Sequence, residues 1–162
     1  SKASAESFVE EFQRQFGLKY TILRYGSLFG PRSDMTNGLH RLVKNALETG
    51  VLRYRGAANT TREYIYVEDA ARASVSALND EFINRALCVS GYDRIKIEDL
   101  LSMIDEILID CDLKIELQDE KYPGHYVYSP YTYQSRSDLK YVSNTHVDFG
   151  QALLRLIEFL RS

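Results

Sequence analysis

The sequence predicts an α/β fold, and three observations carry that prediction. Segments with apolar residues at helical spacing alternate with short apolar, β-branched runs; glycines punctuate the helical segments; and no internal repeat, charge run or low-complexity tract breaks the alternation. A chain of 162 residues with 44% hydrophobic and 27% charged residues suits a single core rather than a disordered segment.

Taken in order, Ala5, Phe8, Val9, Phe12 and Phe16 form one apolar stripe of a helix over residues 3–16, and Gly17 supplies its stop. Leu18 to Tyr25, dense in β-branched and aromatic residues, reads as a strand. Gly26 to Asn37 is rich in Gly, Ser, Pro and Asp and is expected to be a loop. Leu39, Leu42, Val43, Ala46 and Leu47 restore helical spacing up to Gly50. Val51–Arg55 and Arg62–Val67 are strands around a turn, and Asp69 opens a helix whose Ala71, Val75 and Leu78 share a face. Ala86–Ser90 is a short strand, and Ile97, Leu100, Leu101, Ile104, Ile107 and Leu108 mark an amphipathic helix. Lys114–Leu117 is an edge strand, Tyr122–Tyr133 a Tyr-rich loop, and the chain closes on a helix with Phe149, Leu153, Leu156, Ile157 and Leu160 inward, capped by Asp148.

Composition excludes several classes of function. With 20 Lys and Arg against 23 Asp and Glu there is no basic nucleic-acid footprint, so an anionic ligand must be held by a few placed arginines. No apolar run reaches membrane-spanning length, and Cys88 and Cys111 sit in apolar segments as expected for buried thiols, which together suggest a cytoplasmic protein. His40, His125 and His146 are scattered and form no cluster with cysteine, so no metal site is expected. A Gly-x-Gly-x-x-Gly turn, needed to cradle a dinucleotide, is absent; Gly26–Gly30 has the wrong spacing.

Three motifs in order nevertheless point one way. Ser1-Lys2-Ala3-Ser4-Ala5-Glu6 resembles the end of a Tyr-x-x-Ser-Lys-x-x-x-Glu segment. Leu23-Arg24-Tyr25-Gly26-Ser27-Leu28-Phe29-Gly30-Pro31-Arg32 is similar to Leu-Arg-Tyr-Phe-Asn-Val-Tyr-Gly-Pro-Arg, and Thr61-Arg62-Glu63-Tyr64-Ile65-Tyr66-Val67-Glu68-Asp69-Ala70-Ala71 to an Arg-Asp-Phe-Ile-Tyr-Val-Asp-Asp-Val-Ala segment. These are motifs of the extended short-chain dehydrogenase/reductases, the NAD-dependent nucleotide-sugar epimerases and dehydratases, and the similarity runs over essentially the whole chain.

The resemblance implies the C-terminal part of a Rossmann-like enzyme, residues 1–162 being a single fragment in which the end of that domain is interwoven with a small substrate-binding domain, and the dinucleotide-binding unit is missing. It implies an NAD(P)-dependent enzyme, cytoplasmic, that interconverts a nucleoside-diphosphate sugar through a keto-sugar intermediate. Whether epimerase, dehydratase or reductase depends on residues before the Tyr. This chain, lacking that Tyr and the Gly-rich turn, is expected to be inactive and to bind neither NAD nor NADP by itself.

By the same resemblance Lys2 is catalytic and cofactor-binding, lowering the Tyr pKa and contacting the ribose. Gly26 lines the nicotinamide pocket; Ser27, where relatives carry Asn, contacts the sugar nucleotide; and Asn37 and Gly38 hold it at a helix start, with plain helix capping as an equal reading. Tyr54 lies in a strand along the base, where alternation lets either Tyr54 or the pair Arg53 and Arg55 face the site. Arg62 meets the diphosphate, the alternative being an ion pair with Glu63 or Asp69. Arg136 and the Tyr cluster are candidates for a second nucleotide contact. Exposure of Phe8, Phe12 and Phe16 predicts a homodimer or swapped oligomer. The rival from another class is a non-catalytic binding or assembly module that keeps the half-fold.

Overall fold

The structure, a computed structural model, describes residues 2–92, 94–118 and 138–162. Ser1, the Tyr-rich stretch 122–133, His125 and Arg136 lie outside them.

Helix α1 (Lys2–Phe16) stops at Gly17, whose N–H meets the Gln13 carbonyl at 2.9 Å. Strands β1 (Thr21–Tyr25) and β2 (Ser27–Phe29) follow, then α2 (Gly38–Thr49) and β3 (Val51–Arg55). Asn37 caps the start of α2, and its end is turned by Gly50 at φ 70°, a left-handed conformation that only glycine adopts without strain. β4 (Thr61–Tyr66) runs straight into α3 (Val67–Ser76). Then come β5 (Arg85–Val89), β6 (Arg94–Lys96), α4 (Ile97–Ile107), β7 (Lys114–Gln118), β8 (Asp138–Lys140) and α5 (Phe149–Arg161), the last capped by Asp148 on the Gln151 N–H.

The described strands form three small sheets. β1, β5 and β8 are parallel, with β5 in the middle and Leu23 opposite Leu87. β4 lies between β2, which is parallel to it, and β6, which is antiparallel. Among the described strands, β3 pairs in parallel with β7. The larger core gathers Val43, Leu52, Leu100, Ile104, Leu153 and Leu156 from α2, β3, α4 and α5, and a smaller one sets α3 on β1 and β5 through Ala70, Ala73, Leu87 and Val89. Each buried Leu or Ile stabilises the fold by about 1.5–3 kcal/mol.

Three expectations need correction. Residues 26–37 are not wholly loop, because Ser27–Phe29 pairs with Tyr64–Tyr66. That partner lies far along the chain, so local composition carries no trace of it. The face of α3 that is buried is Ala70, Ala73 and Ala77, while Ala71, Val75 and Leu78 are exposed. Small side chains let the helix approach the sheet closely, and that contact outweighs the more apolar stripe. Cys88 and Cys111 form no disulfide but are half-buried rather than buried.

Candidate functional site

A cleft of about 990 Å³ opens between α2, the end of β3 and the starts of β2 and β4. Its lining includes Ser27, Asn37, Gly38, Tyr54 and Arg62, all five of the residues expected to meet a sugar nucleotide. Ser27 begins β2, held opposite Tyr64 by the parallel register. Gly38 is the first residue of α2, with open space where a side chain would stand.

Asn37 is committed to the fold. Its Oδ1 accepts the N–H groups of Leu39 and His40 at 3.1 Å each, and its Nδ2 donates to the Leu28 carbonyl at 2.6 Å. Two of the N–H donors that a helix start could offer an anion are therefore satisfied within the chain, which favours the capping role.

Along β3, Leu52 and half-buried Tyr54 point inward while Arg53 and Arg55 are exposed, as strand alternation requires. Yet Arg53, Tyr54 and Arg55 all line the cleft. Alternation sets the exposure of these side chains but does not keep either set from the cleft. Arg53 is neutralised by Glu116 at 2.8 Å.

The Arg62 guanidinium lies beside the Tyr54 hydroxyl, and its Nη1 donates to the Thr61 carbonyl at 3.2 Å. The acids that offered a structural alternative are engaged with other cations: Glu63 with Arg94 at 3.3 Å and Lys140 at 3.6 Å, Asp69 with Arg72. Burial pushes the Tyr54 phenol up, with Arg62 opposing it, and pushes Tyr64 up to about 12. Neither phenol is a ready base at neutral pH, and no Asp or Glu lines the cleft among the described residues. The arrangement is suited to holding an anion and not to abstracting a proton.

Lys2 and Gly26 lie apart from the cleft lining. Lys2 is exposed in the first turn of α1. One turn on, Glu6 takes a two-point fork from Arg24 of β1, at 2.7 and 3.1 Å, and the guanidinium holds its carboxyl below the usual glutamate value. At Gly26 a side-chain carbon would stand 3.1 Å from Ser90 Cα and 3.4 Å from the Glu63 carbonyl. A side chain there would crowd the chain's own backbone as it leaves β1.

Sequence reasoning passed over Arg41 and Asn45, which line the cleft from α2. Their only signal was a polar helix face, which any exposed helix shows. Among the described residues no group of three His, Cys, Asp or Glu could hold a metal, and no helix is long and apolar enough to cross a membrane.

The model of the NAD dependent epimerase/dehydratase family matches residues 1–86. Among curated proteins, an uncharacterized UDP-glucose epimerase, YtcB, of Bacillus subtilis (strain 168) is 25% identical over 108 residues, covering 66% of this chain and 34% of its own length. dTDP-glucose 4,6-dehydratase 1 of Escherichia coli (strain K12) is 28% identical over 117 residues, covering 72% of this chain and 31% of its own. Among solved structures, the UDP-N-acetylglucosamine 4-epimerase of Methanobrevibacter ruminantium M1, in complex with UDP-N-acetylmuramic acid, superposes with a TM-score of 0.80 at 26% identity. That match covers 99% of this chain and 52% of the other, so the chain spans about half the length of the solved relative and about a third of the curated ones.

Proposed function

Because the chain belongs to the NAD dependent epimerase/dehydratase family, we propose that it forms the substrate-binding part of a nucleoside-diphosphate-sugar epimerase or dehydratase, with the nucleotide end of the substrate in the cleft of Arg62. One observation carries this reading: Arg62 lines the cleft beside Tyr54, with no carboxylate among the described lining residues. A planar guanidinium presents paired donors to phosphate oxygens, and a neutral phenol beside it offers a flat apolar surface to a base.

The residues present do not by themselves fit a nicotinamide dinucleotide. No glycine-rich turn is available to cradle its phosphates, and the space at Gly26 is occupied by Ser90 and Glu63. In the whole enzyme the nicotinamide supplies oxidation of the sugar and return of the hydride. Here Lys2 offers an exposed cation at the head of α1, and the cleft residues bind and orient the substrate. The exposed Phe8, Phe12 and Phe16 support self-association of α1 as a dimer.

Calorimetric titration of UDP and dTDP into the chain tests the reading. Weak saturable binding is expected, with loss on Arg62→Ala. Binding that is indifferent to Arg62, or no binding of either nucleotide, overturns it. Incubation with a sugar nucleotide and NAD is expected to give no reduced nicotinamide.

A further inference from the structure

The cleft holds more positive charge than a diphosphate diester needs, and that excess has a place. α2 and β3 are antiparallel neighbours joined through Gly50. From Arg41 to the end of α2 is about 12 Å at the helical rise, and from Val51 to Arg55 about 13 Å at the strand rise. Both guanidinium-bearing residues therefore stand level with one another, at the end of the cleft away from the Gly50 turn. Arg62 belongs to the same end, since a single turn connects the end of β3 to the start of β4.

Arg53 is neutralised by Glu116, whereas among the described residues no carboxylate pairs with either arginine at the rim. Arg41 donates to the uncharged Met35 carbonyl at 2.9 Å, and Arg55 has no carboxylate partner among the described residues. In a concave site like charges repel more strongly than on an open surface, so such an arrangement is stabilised by a ligand that brings matching charge. A nucleoside-diphosphate sugar carries one negative charge on each phosphoryl group, and Arg62 already stands on those in the reading above.

Resting on that nucleotide reading, we propose that the substrate carries a further anionic group on its sugar, a carboxylate as in a hexuronate or a lactyl-substituted hexosamine, and that Arg41 and Arg55 select for it. A carboxylate matches the fork of a guanidinium in two parallel hydrogen bonds, which a neutral hydroxymethyl group does not. The step is binding only, and no bond of the substrate is made or broken by these residues.

The test titrates UDP, UDP-glucose and UDP-glucuronate separately into the chain and into Arg41→Gln and Arg55→Gln variants. Both positions are exposed, so the substitutions leave the fold intact. UDP-glucuronate is expected to bind about tenfold or more tighter than UDP-glucose. Each variant is expected to erase that preference while holding UDP-glucose within about twofold of its original affinity. Equal affinity for the two sugars overturns the acidic-sugar inference and leaves the nucleotide reading standing, as does an equal weakening of both sugars in the variants, which assigns the arginines to the diphosphate. Failure of all three ligands, UDP included, overturns the nucleotide reading itself.

Discussion

Replacing Gly91 with Ala should unfold the chain at a markedly lower temperature, and the size of the effect can be worked from the backbone. A side-chain carbon at Gly91 would stand 1.8 Å from the Tyr64 carbonyl oxygen and 2.7 Å from its carbon, where ordinary contact begins at 3.4 Å. No rotamer relieves this, because both clashing atoms are backbone. Relief requires β4 or the segment carrying Gly91 to move, and β4 is the central strand of its sheet, in register with Ser27 through Tyr64. Moving Tyr64 also disturbs its ring contacts with Phe29 at 5.9 Å and Phe149 at 5.6 Å. Overpacking costs about 1–3 kcal/mol, and a clash confined to backbone belongs at the top of that range. For a chain of this length about 3 kcal/mol lowers the melting temperature by roughly 6–12 °C. Scanning calorimetry of Gly91→Ala beside Gly38→Ala checks the reasoning, since Gly38 has nothing within 4 Å and should melt unchanged or slightly higher. A Gly91→Ala melting temperature within 2 °C of the original, give or take about that much, would refute the claim that this approach of backbones is required.

Three further outcomes follow from ion pairs and exposed rings. Glu6 has its folded-state pKa lowered by Arg24, so its contribution is present above the ordinary glutamate range and is lost as pH falls through the folded value; melting curves at acid and neutral pH should converge for Glu6→Gln relative to the original. At Glu63 the carboxylate is 2% exposed whereas Arg94 and Lys140 are 61% and 39% exposed, so the cost of breaking the cluster is asymmetric. Cations left behind by Glu63→Gln regain water, but the carboxylate left behind by Arg94→Met with Lys140→Met does not, and the double variant should lose about 3–5 kcal/mol in urea unfolding, well beyond the single one. Finally, Phe8, Phe12 and Phe16 are 67%, 51% and 71% exposed, and burying each ring stabilises an association by about 1.5–3 kcal/mol. Sedimentation should show concentration-dependent association that Phe12→Ser with Phe16→Ser reduces; a monomer at every concentration contradicts it.

Elements with a strong period were legible from the sequence, and those defined by a distant partner were not. α2 announced itself by Asn37, its apolar stripe and Gly50, and α5 by Asp148, all local signals. β3 lies over the residues its sequence suggested, because its short apolar run ends in turn residues. β2, β6 and β8 have three residues each, too few to show alternation, and exist because β4 and β5 offer them open edges. The cleft was legible in the same partial way. Ser27 and Arg62 stood out through their motifs, and Asn37 and Tyr54 through their places at a helix start and in a strand, but Arg41 faces the cleft only because α2 folds back along β3, and no spacing in the sequence encodes that.

The separation of Lys2 from the cleft bears on how a substrate would be placed. Lys2 and Glu6 are four residues apart on α1, hence on one face of the helix. Glu6 is forked to Arg24, and Arg24 stands in β1 just before the chain passes through Gly26 to Ser27, the cleft's first lining residue from β2. α1 buries none of its residues, so hydrophobic packing within the chain does little to fix its position. The Glu6–Arg24 fork is a described contact that ties α1, and with it the Lys2 cation, to the strand leading into the cleft. An ion pair is a directional fastening, where an apolar contact would let the helix slide, and on the proposed reading, in which Lys2 meets a cofactor ribose and a Tyr, that direction matters more than strength. It follows that loss of Glu6 should disturb the placement of Lys2 while leaving the cleft residues, held by β2, β3 and β4, where they are.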